Sequence, residues 1–303
     1  MSKKVAGIKK KKELIREVFI RILCGLIFIK SVRNSIRFAF LHIGIINTLQ
    51  KIFIIKFTKQ TKQKYYLSVV ATVKNEGCYL QEWIEYYKIM GVEHFYIYDN
   101  ESTDNTKEIL QPYILNGDVT YHYFEGKNRQ IEMYNEALEK YKIETKWLAP
   151  LDADEFVYPI THKTIADYLK QNKKYNQIVF NWLSYGNSGH KEKPQGLVLE
   201  NYTHRGDTPC HETKAIVQSL NTIYLLIHKH SVWGLSKYEP VSEIYCKHFY
   251  GKSEEEYINK KLERGSQLTS YIYDMDTYKE YNQNTIYDPM PQEILEIIKS
   301  KIS

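Results

Sequence analysis

Cysteine is scarce in this chain of 303 residues: the four present, Cys24, Cys78, Cys210 and Cys246, lie far apart and form no Cys-x-x-Cys pair. That spacing supplies neither a zinc site nor a disulfide framework, so a reducing compartment is the expectation. No Gly-x-Gly-x-x-Gly follows a strand and no P-loop motif occurs, which disfavours dinucleotide-binding and P-loop chemistries. Long apolar runs are missing too. Within residues 1–64 the longest uncharged stretches, Ile22 to Ile29 and Phe38 to Gln50, fall short of the ~20 residues that a transmembrane helix needs. No small-residue cleavage site follows them, which argues against a secretory signal. Acids are nearly absent from residues 1–64, where 16 lysines and arginines face only Glu13 and Glu17, a net +14. The remainder holds 26 basic against 34 acidic residues, a net −8.

At 43% hydrophobic and 26% charged, the chain has the composition of an ordinary globular protein. Apolar residues recur at Leu14, Ile15, Val18, Phe19, Ile22, Leu23, Leu26 and Ile27 with a helical period. A second segment, Ile36 to Phe57, mixes Phe, Ile and Leu with Arg37, Lys51 and Lys56. Basic, aromatic-bearing amphipathic helices lie in the plane of a membrane interface. Residues 1–64 are therefore expected to be a peripheral membrane anchor. A helical pair packed on the body and a nucleic-acid-binding arm are the weaker alternatives, and no nucleic-acid partner is expected because apolar residues exceed what phosphate binding uses.

From Tyr65 onward strands and helices alternate, as in a parallel α/β sheet. Leu67 to Val73 reads as a strand running into Lys74, Asn75, Glu76 and Gly77. A helix to Met90 is closed by Gly91, and a second strand, His94 to Tyr98, enters DNESTDNT. Asp99 stands at that strand end, with Ser102 or Thr103 placed to cap the next helix. An acid there suits a ribose hydroxyl or a base N–H, although an Asp/Asn/Ser turn needs no ligand to explain it.

The chemistry concentrates in WLAPLDADEFVYP, Trp147 to Pro159, where an apolar strand runs into Asp152, Asp154 and Glu155. Alternate residues of a strand share a face, and open α/β sheets bind ligands at the carboxyl ends of their strands. Two hard oxygen ligands at such a place suit Mg²⁺ or Mn²⁺ shared with substrate phosphates. Solvated acids in a loop are the bland alternative. Beyond it, Gln177 to Leu183 reads as a strand entering Ser184 to His190, a loop of aromatic, glycine and polar groups suited to a sugar. A β-rich stretch then ends at His248, with Lys252 and Ser253 beyond.

In order, VVATVKNEGCYLQEWIEYYKIMGVEHFYIYDNESTDNT, NEALEKYKIETKWLAPLDADEF, WLSYGNSGH and KHFYGKSEEEYINKKLERG resemble the GT-A fold glycosyltransferases of the family 2-like and family 92-like group. The likeness covers roughly residues 66–265. It implies a Rossmann-like, mixed but mainly parallel sheet flanked by helices, and a nucleotide-sugar donor, UDP-linked. Asp152 and Asp154 would form the DxD motif, with Asp154 on a divalent cation, Mn²⁺ or Mg²⁺, and Asp152 on the ribose or the metal. His248 would be the third metal ligand and Lys252 a phosphate contact. Asn75, Glu76 and Asp99 would line the nucleotide site, and Glu155 would orient the donor sugar. The Ser184 to His190 loop would wall the acceptor side, making His190 a candidate for acceptor binding or proton transfer.

The chain departs from that pattern in two places. It holds no Glu-Asp dipeptide, the pair whose Asp is the base in many inverting relatives, so Asp207, Glu212 and His190 all stay open for that role. No Gln-x-x-Arg-Trp motif occurs either, which disfavours processive synthesis. Three regions result: the basic helical segment 1–64, a catalytic domain 65–270, and a C-terminal loop and helix, 271–303. The expected activity is transfer of one sugar, with inversion, to a lipid-linked bacterial glycan of lipopolysaccharide or capsule type at the cytoplasmic face of the plasma membrane. A nucleotidyl- or phosphotransferase and a non-catalytic glycan binder are the rival readings.

Overall fold

A computed structural model describes Ile20, Cys24, Gly25 and Ile27 and residues 30–57, 62–263 and 274–302. Two helices come first, α1 (Lys30–Ile43) and α2 (Ile45–Phe57). The body then follows as β1 (Tyr65–Val73), α3 (Gly77–Ile89), β2 (His94–Asp99), α4 (Thr106–Asn116), β3 (Val119–Tyr123), α5 (Gln130–Tyr141), β4 (Thr145–Pro150), β5 (Glu155–Pro159), α6 (Ile165–Gln171) and β6 (Gln177–Ser184). Beyond these lie α7 (Val198–Asn201), β7 (His204–Arg205), β8 (Thr213–Gln218), β9 (Thr222–Tyr224), β10 (Ser231–Val232), β11 (Lys237–His248), α8 (Glu254–Tyr257), α9 (Met275–Tyr281), β12 (Ile286–Tyr287) and α10 (Gln292–Ile302).

Eight strands form one sheet in the order β3-β2-β1-β4-β8-β6-β11-β5. The first four are parallel, β8 runs antiparallel between β4 and β6, and β11 is parallel to β6 and antiparallel to β5. This is the expected mixed, mainly parallel Rossmann-like sheet. Its central strands are apolar throughout because both faces are covered. Leu67, Val69, Ala71 and Val73 of β1 join Phe95, Ile97, Trp147 and Ala149 in one cluster with α3, α6 and α10. Val70, Tyr96, Tyr98 and Leu148 point the other way, against Tyr134, Ala137, Leu138 and Tyr141 of α5.

Gly91 closes α3 as expected. Its φ is +87° and a Cβ there would stand 2.6 Å from the Cβ of Ala166, so backbone conformation and close packing both require glycine. Helix α4 departs from the expectation: it begins at Thr106, and the turn is held by Asp104, whose Oδ1 accepts from Thr106 N (3.0 Å) and whose Oδ2 accepts from Gly77 N (3.1 Å). Neither Ser102 nor Thr103 caps it; both bond back to Asn75.

The segment after Ser253 is not one α-helix. The α8 turn opens on a Ser253/Glu256 capping box and passes into a π-helical turn, Ile258–Glu263. Within the expected C-terminal loop, residues 274–287 contain α9 and β12, and β12 pairs with β7. Asp288 then binds Arg205 Nε (2.7 Å), Tyr185 OH (2.7 Å) and Lys247 Nζ (3.2 Å), fastening the C-terminal segment to the sheet. Helix α10 docks on the body through Leu295 and Ile298.

At the N-terminus, the stripe from Leu14 to Leu26 lies outside the described residues. Helix α1 packs on the body: Val32, Ile36, Ala39 and Phe40 share a small core with Ile20, Cys24, Ile52 and Ile223. The helical-pair alternative thus holds for the inner side of residues 30–57. No helix among the described residues is long and apolar enough to cross a membrane.

Glu82 of α3 illustrates how polar groups are used inside the fold. Its buried carboxyl accepts from Val198 N (2.7 Å) and Leu199 N (2.8 Å), closing the start of α7. Burial raises its pKa to about 7, against the two amides and Lys252, which lower it. A carboxyl raised in the folded state stabilises at low pH, and that contribution is lost as pH rises from the ordinary value near 4.5 towards 7. Glu82→Gln should therefore flatten the fall of Tm between pH 5 and 7, read by scanning calorimetry; an unchanged slope would remove Glu82 as its source.

Candidate active site

Strand β4 ends at Pro150, Leu151 to Asp154 turn across the carboxyl edge of the parallel strands, and Glu155 begins β5. Because β5 runs antiparallel to β11, Glu155 pairs with His248, which also pairs with Ser184 at the end of β6. Three strand ends distant in sequence thus meet beside the Asp152-Ala153-Asp154 turn. Trp83 of α3 holds the turn from below, donating through Nε1 to the carbonyls of Asp152 (3.1 Å) and Glu155 (3.0 Å).

Asp152 faces an internal cation. Its Oδ2 receives Lys214 Nζ at 2.9 Å, and its Oδ1 receives Gln130 Nε2 at 2.7 Å and Tyr134 OH at 3.1 Å. Lys214, from β8, is fully buried and also stands 3.2 Å from Glu155 Oε2. Burial alone would raise the pKa of Asp152, but the Lys214 charge outweighs it and holds the carboxyl below its ordinary value. For Glu155 burial wins, since Lys214 is already matched by Asp152, and its pKa rises to about 8. Lys214 itself is held charged, its burial outweighed by the two carboxyls.

The structure gives both residues protein partners. Asp152, expected on the metal or the ribose, accepts from Lys214, Gln130 and Tyr134. Glu155, expected to orient the donor sugar, is buried, with Oε2 also accepting from Asp152 N at 3.0 Å, and it shapes the turn. Lys214, Gln130 and Tyr134 were missed in the sequence, where a lysine in an apolar strand, TKAIVQ, was the available signal.

Asp154 is aimed differently. Its Oδ1 lies 3.6 Å from His248 Nε2 and its Oδ2 lies 3.4 Å from Lys261 Nζ in the π-helical turn. Burial pushes this carboxyl up, but Lys261 and His248 more than reverse that and leave it well below the usual range. His248 is buried, its ring tilted against Trp182 at 4.1 Å between centroids, and burial lowers its pKa despite Asp154. It is therefore held as the neutral imidazole that metals bind. A carboxylate and an imidazole converging at this spacing fit one divalent cation, Mn²⁺ better than Mg²⁺ because nitrogen is among the donors. Among the described residues no group of three or more His, Cys, Asp or Glu side chains assembles for a metal; a cation held by Asp154 and His248 would need substrate oxygens and water to complete its shell.

Four residues after His248, Lys252 has φ +54° and is buried with Nζ over the Tyr79 ring at 4.2 Å and no hydrogen-bond acceptor among the described residues. Tyr79 donates to Glu256 Oε1 (2.5 Å), as Tyr202 does to Oε2, and Lys260 Nζ binds Glu76 Oε2 at 2.6 Å. Asn75, Tyr79, Lys193, Glu256 and Lys260 line a cleft of about 290 Å³ here. Asp99 lies at the end of β2, its Oδ1 accepting from Ser102 N and Oδ2 from Tyr121 OH, both at 2.8 Å.

The acceptor-side candidates do not converge. His190 lies on the loop after β6, edge-on to Tyr202 at 5.7 Å and hence beside the Glu256 and Lys252 group. Asp207 is exposed, and Glu212 meets Tyr281 OH at 3.5 Å. None of the three touches Asp154 or His248 among the contacts described.

Known proteins supply the family. The model of glycosyltransferase family 92 matches residues 69–296, beyond the reach of the sequence motifs. A family 92 protein of Ricinus communis is 29% identical over 185 residues, 57% of this chain and 32% of its own length. The galactan beta-1,4-galactosyltransferase GALS3 of Arabidopsis thaliana is 25% identical over 217 residues, 64% of this chain and 43% of its own length. The chain thus spans less than half the length of these curated relatives. Among solved structures, S. aureus TarS in complex with UDP-GlcNAc aligns with a TM-score of 0.36 and 17% identity, covering 51% of this chain and 45% of that one. With more than two thirds of its residues under one family model, this chain belongs to glycosyltransferase family 92.

Proposed function

We propose that the protein transfers a single sugar from a nucleoside diphosphate sugar, UDP-linked, to a hydroxyl of a glycan acceptor, with inversion at the anomeric carbon. The observation that carries this reading is the Asp154 and His248 pair, 3.6 Å apart at the carboxyl edge of the sheet. A divalent cation held there would offset the negative charge that develops on the departing diphosphate. Lys252, buried without an acceptor, is placed for a phosphate oxygen; Asp99 and Asn75, at the ends of β2 and β1, are placed for the nucleoside. His190, edge-on to Tyr202 on the loop after β6, is our candidate to take the acceptor proton.

The relatives named as galactan galactosyltransferases make UDP-galactose the first donor to test and a β-galactan the first acceptor. A lipid-linked acceptor of lipopolysaccharide or capsule type, met at the cytoplasmic face of a plasma membrane, is the setting that the basic N-terminal segment supports. Incubation with a panel of nucleotide sugars and Mn²⁺ should release nucleoside diphosphate from one donor, and chelator should abolish the release. Undiminished turnover in chelator would overturn the metal role, and pyrophosphate or phosphate as the product would overturn sugar transfer itself.

A further inference from the structure

Helix α2 has two unlike sides. Thr48 and Ile52 are buried, Ile52 in the small core shared with α1 and Ile223. On the opposite side Ile46, Leu49, Phe53 and Phe57 recur at helical spacing, with Ile54 beside them. Ile46 is 73% exposed, Phe53 63% and Phe57 71%, and the rings of Phe53 and Phe57 lie 4.4 Å apart as one patch. A soluble surface does not ordinarily line up five large apolar side chains on three turns of helix.

The charges that α1 and α2 themselves carry are of one sign, although Lys51 pairs with Glu139 of α5. Helix α2 contains no acid, and Lys51 and Lys56 flank the apolar stripe. Helix α1 adds Lys30, Arg33 and Arg37 and also contains no acid. Both helices belong to the 64-residue stretch in which 16 basic residues face two acids. A second copy of the chain on this face would bring two such stretches together, which like-charge repulsion opposes. A surface both negative and apolar beneath its charges satisfies stripe and flanks at once.

We infer that α2 docks on an anionic bilayer surface, with Ile46, Leu49, Phe53 and Phe57 entering the acyl boundary and Lys56 and Lys30 at headgroup level. The helix lies along the membrane and remains packed on the body through its inner side. The inference stands apart from the catalytic reading, since it uses no residue of the candidate active site.

Flotation of the full chain with vesicles of phosphatidylcholine, with and without phosphatidylglycerol, tests it. The protein should bind the phosphatidylglycerol vesicles, more weakly as salt is raised, and bind phosphatidylcholine alone poorly. The variant Ile46→Ser/Phe53→Ser/Phe57→Ser should lose about tenfold or more of that affinity, because each exposed side chain gains its free energy only on entering lipid. Its Tm should match the wild type, since none of the three is buried in the fold. Equal vesicle binding by variant and wild type would overturn the inference. So would wild type that ignores anionic vesicles, or a wild-type dimer that the triple variant converts to monomer.

Discussion

Asp154→Asn should cost about 10³-fold or more in sugar transfer, in the upper range for removing one preorganised electrostatic contact from a transition state. The substitution keeps side-chain shape but removes the one carboxylate of the turn that is aimed at His248. Asp152 is directed elsewhere, with Lys214, Gln130 and Tyr134 on its oxygens. The backbone is untouched, since the Asp154 carbonyl still accepts from Phe249 N at 2.9 Å. Loss of the ion pair with the buried Lys261 should also lower Tm, so rates are read below the variant's transition. Initial rates at saturating donor and Mn²⁺, with Mn²⁺ binding followed by electron paramagnetic resonance, separate the cases. Loss of both rate and binding supports the cation site; a rate within tenfold of wild type would refute it.

Lys214→Met should be the most damaging single change to stability outside the apolar core. Methionine fills much the same volume but leaves Asp152 without the cation that offsets its burial, and breaking a buried pair by removing one partner costs about 3–5 kcal/mol. In a chain of this size that corresponds to a fall in Tm of roughly 10 °C. The charge argument makes a second, sharper demand. Adding Asp152→Asn and Glu155→Gln to Lys214→Met removes the uncompensated acids and should recover most of the loss, because an all-neutral cluster has no ionic desolvation left to offset. If the triple variant is no more stable than Lys214→Met, packing and not charge is what Lys214 provides.

The two predictions rest on neighbouring acids whose sequence context gave no hint of their different tasks. In DADE, Asp152 and Asp154 are two residues apart behind the same apolar strand and read as equivalent ligands on one strand face. In the fold they sit in a turn and look to different cations. Asp152 meets a lysine from an antiparallel strand 62 residues later, and Asp154 meets a histidine brought alongside by the β5 and β11 pairing. The period-2 argument located the acids and misjudged what faced them, because strand geometry describes one strand and says nothing about its neighbours.

Local pattern was enough for other parts of the molecule. The alternation of apolar strands with amphipathic helices from Tyr65 onward, the stop at Gly91, the carboxylate turn behind β4 and the apolar face of α10 all follow from side-chain periodicity and backbone preference, which act over a few residues. The charge asymmetry of residues 1–64 is likewise a property of composition. Only the tertiary structure decided that α1 is buried on the body while α2 keeps an apolar side outward, that β8 inserts antiparallel and carries Lys214 beneath the turn, and that His248 rather than Asp152 stands with Asp154. Each of those outcomes depends on contacts between segments tens to hundreds of residues apart, and such contacts are selected by burial and charge matching across the whole sheet, not by the sequence of either partner alone.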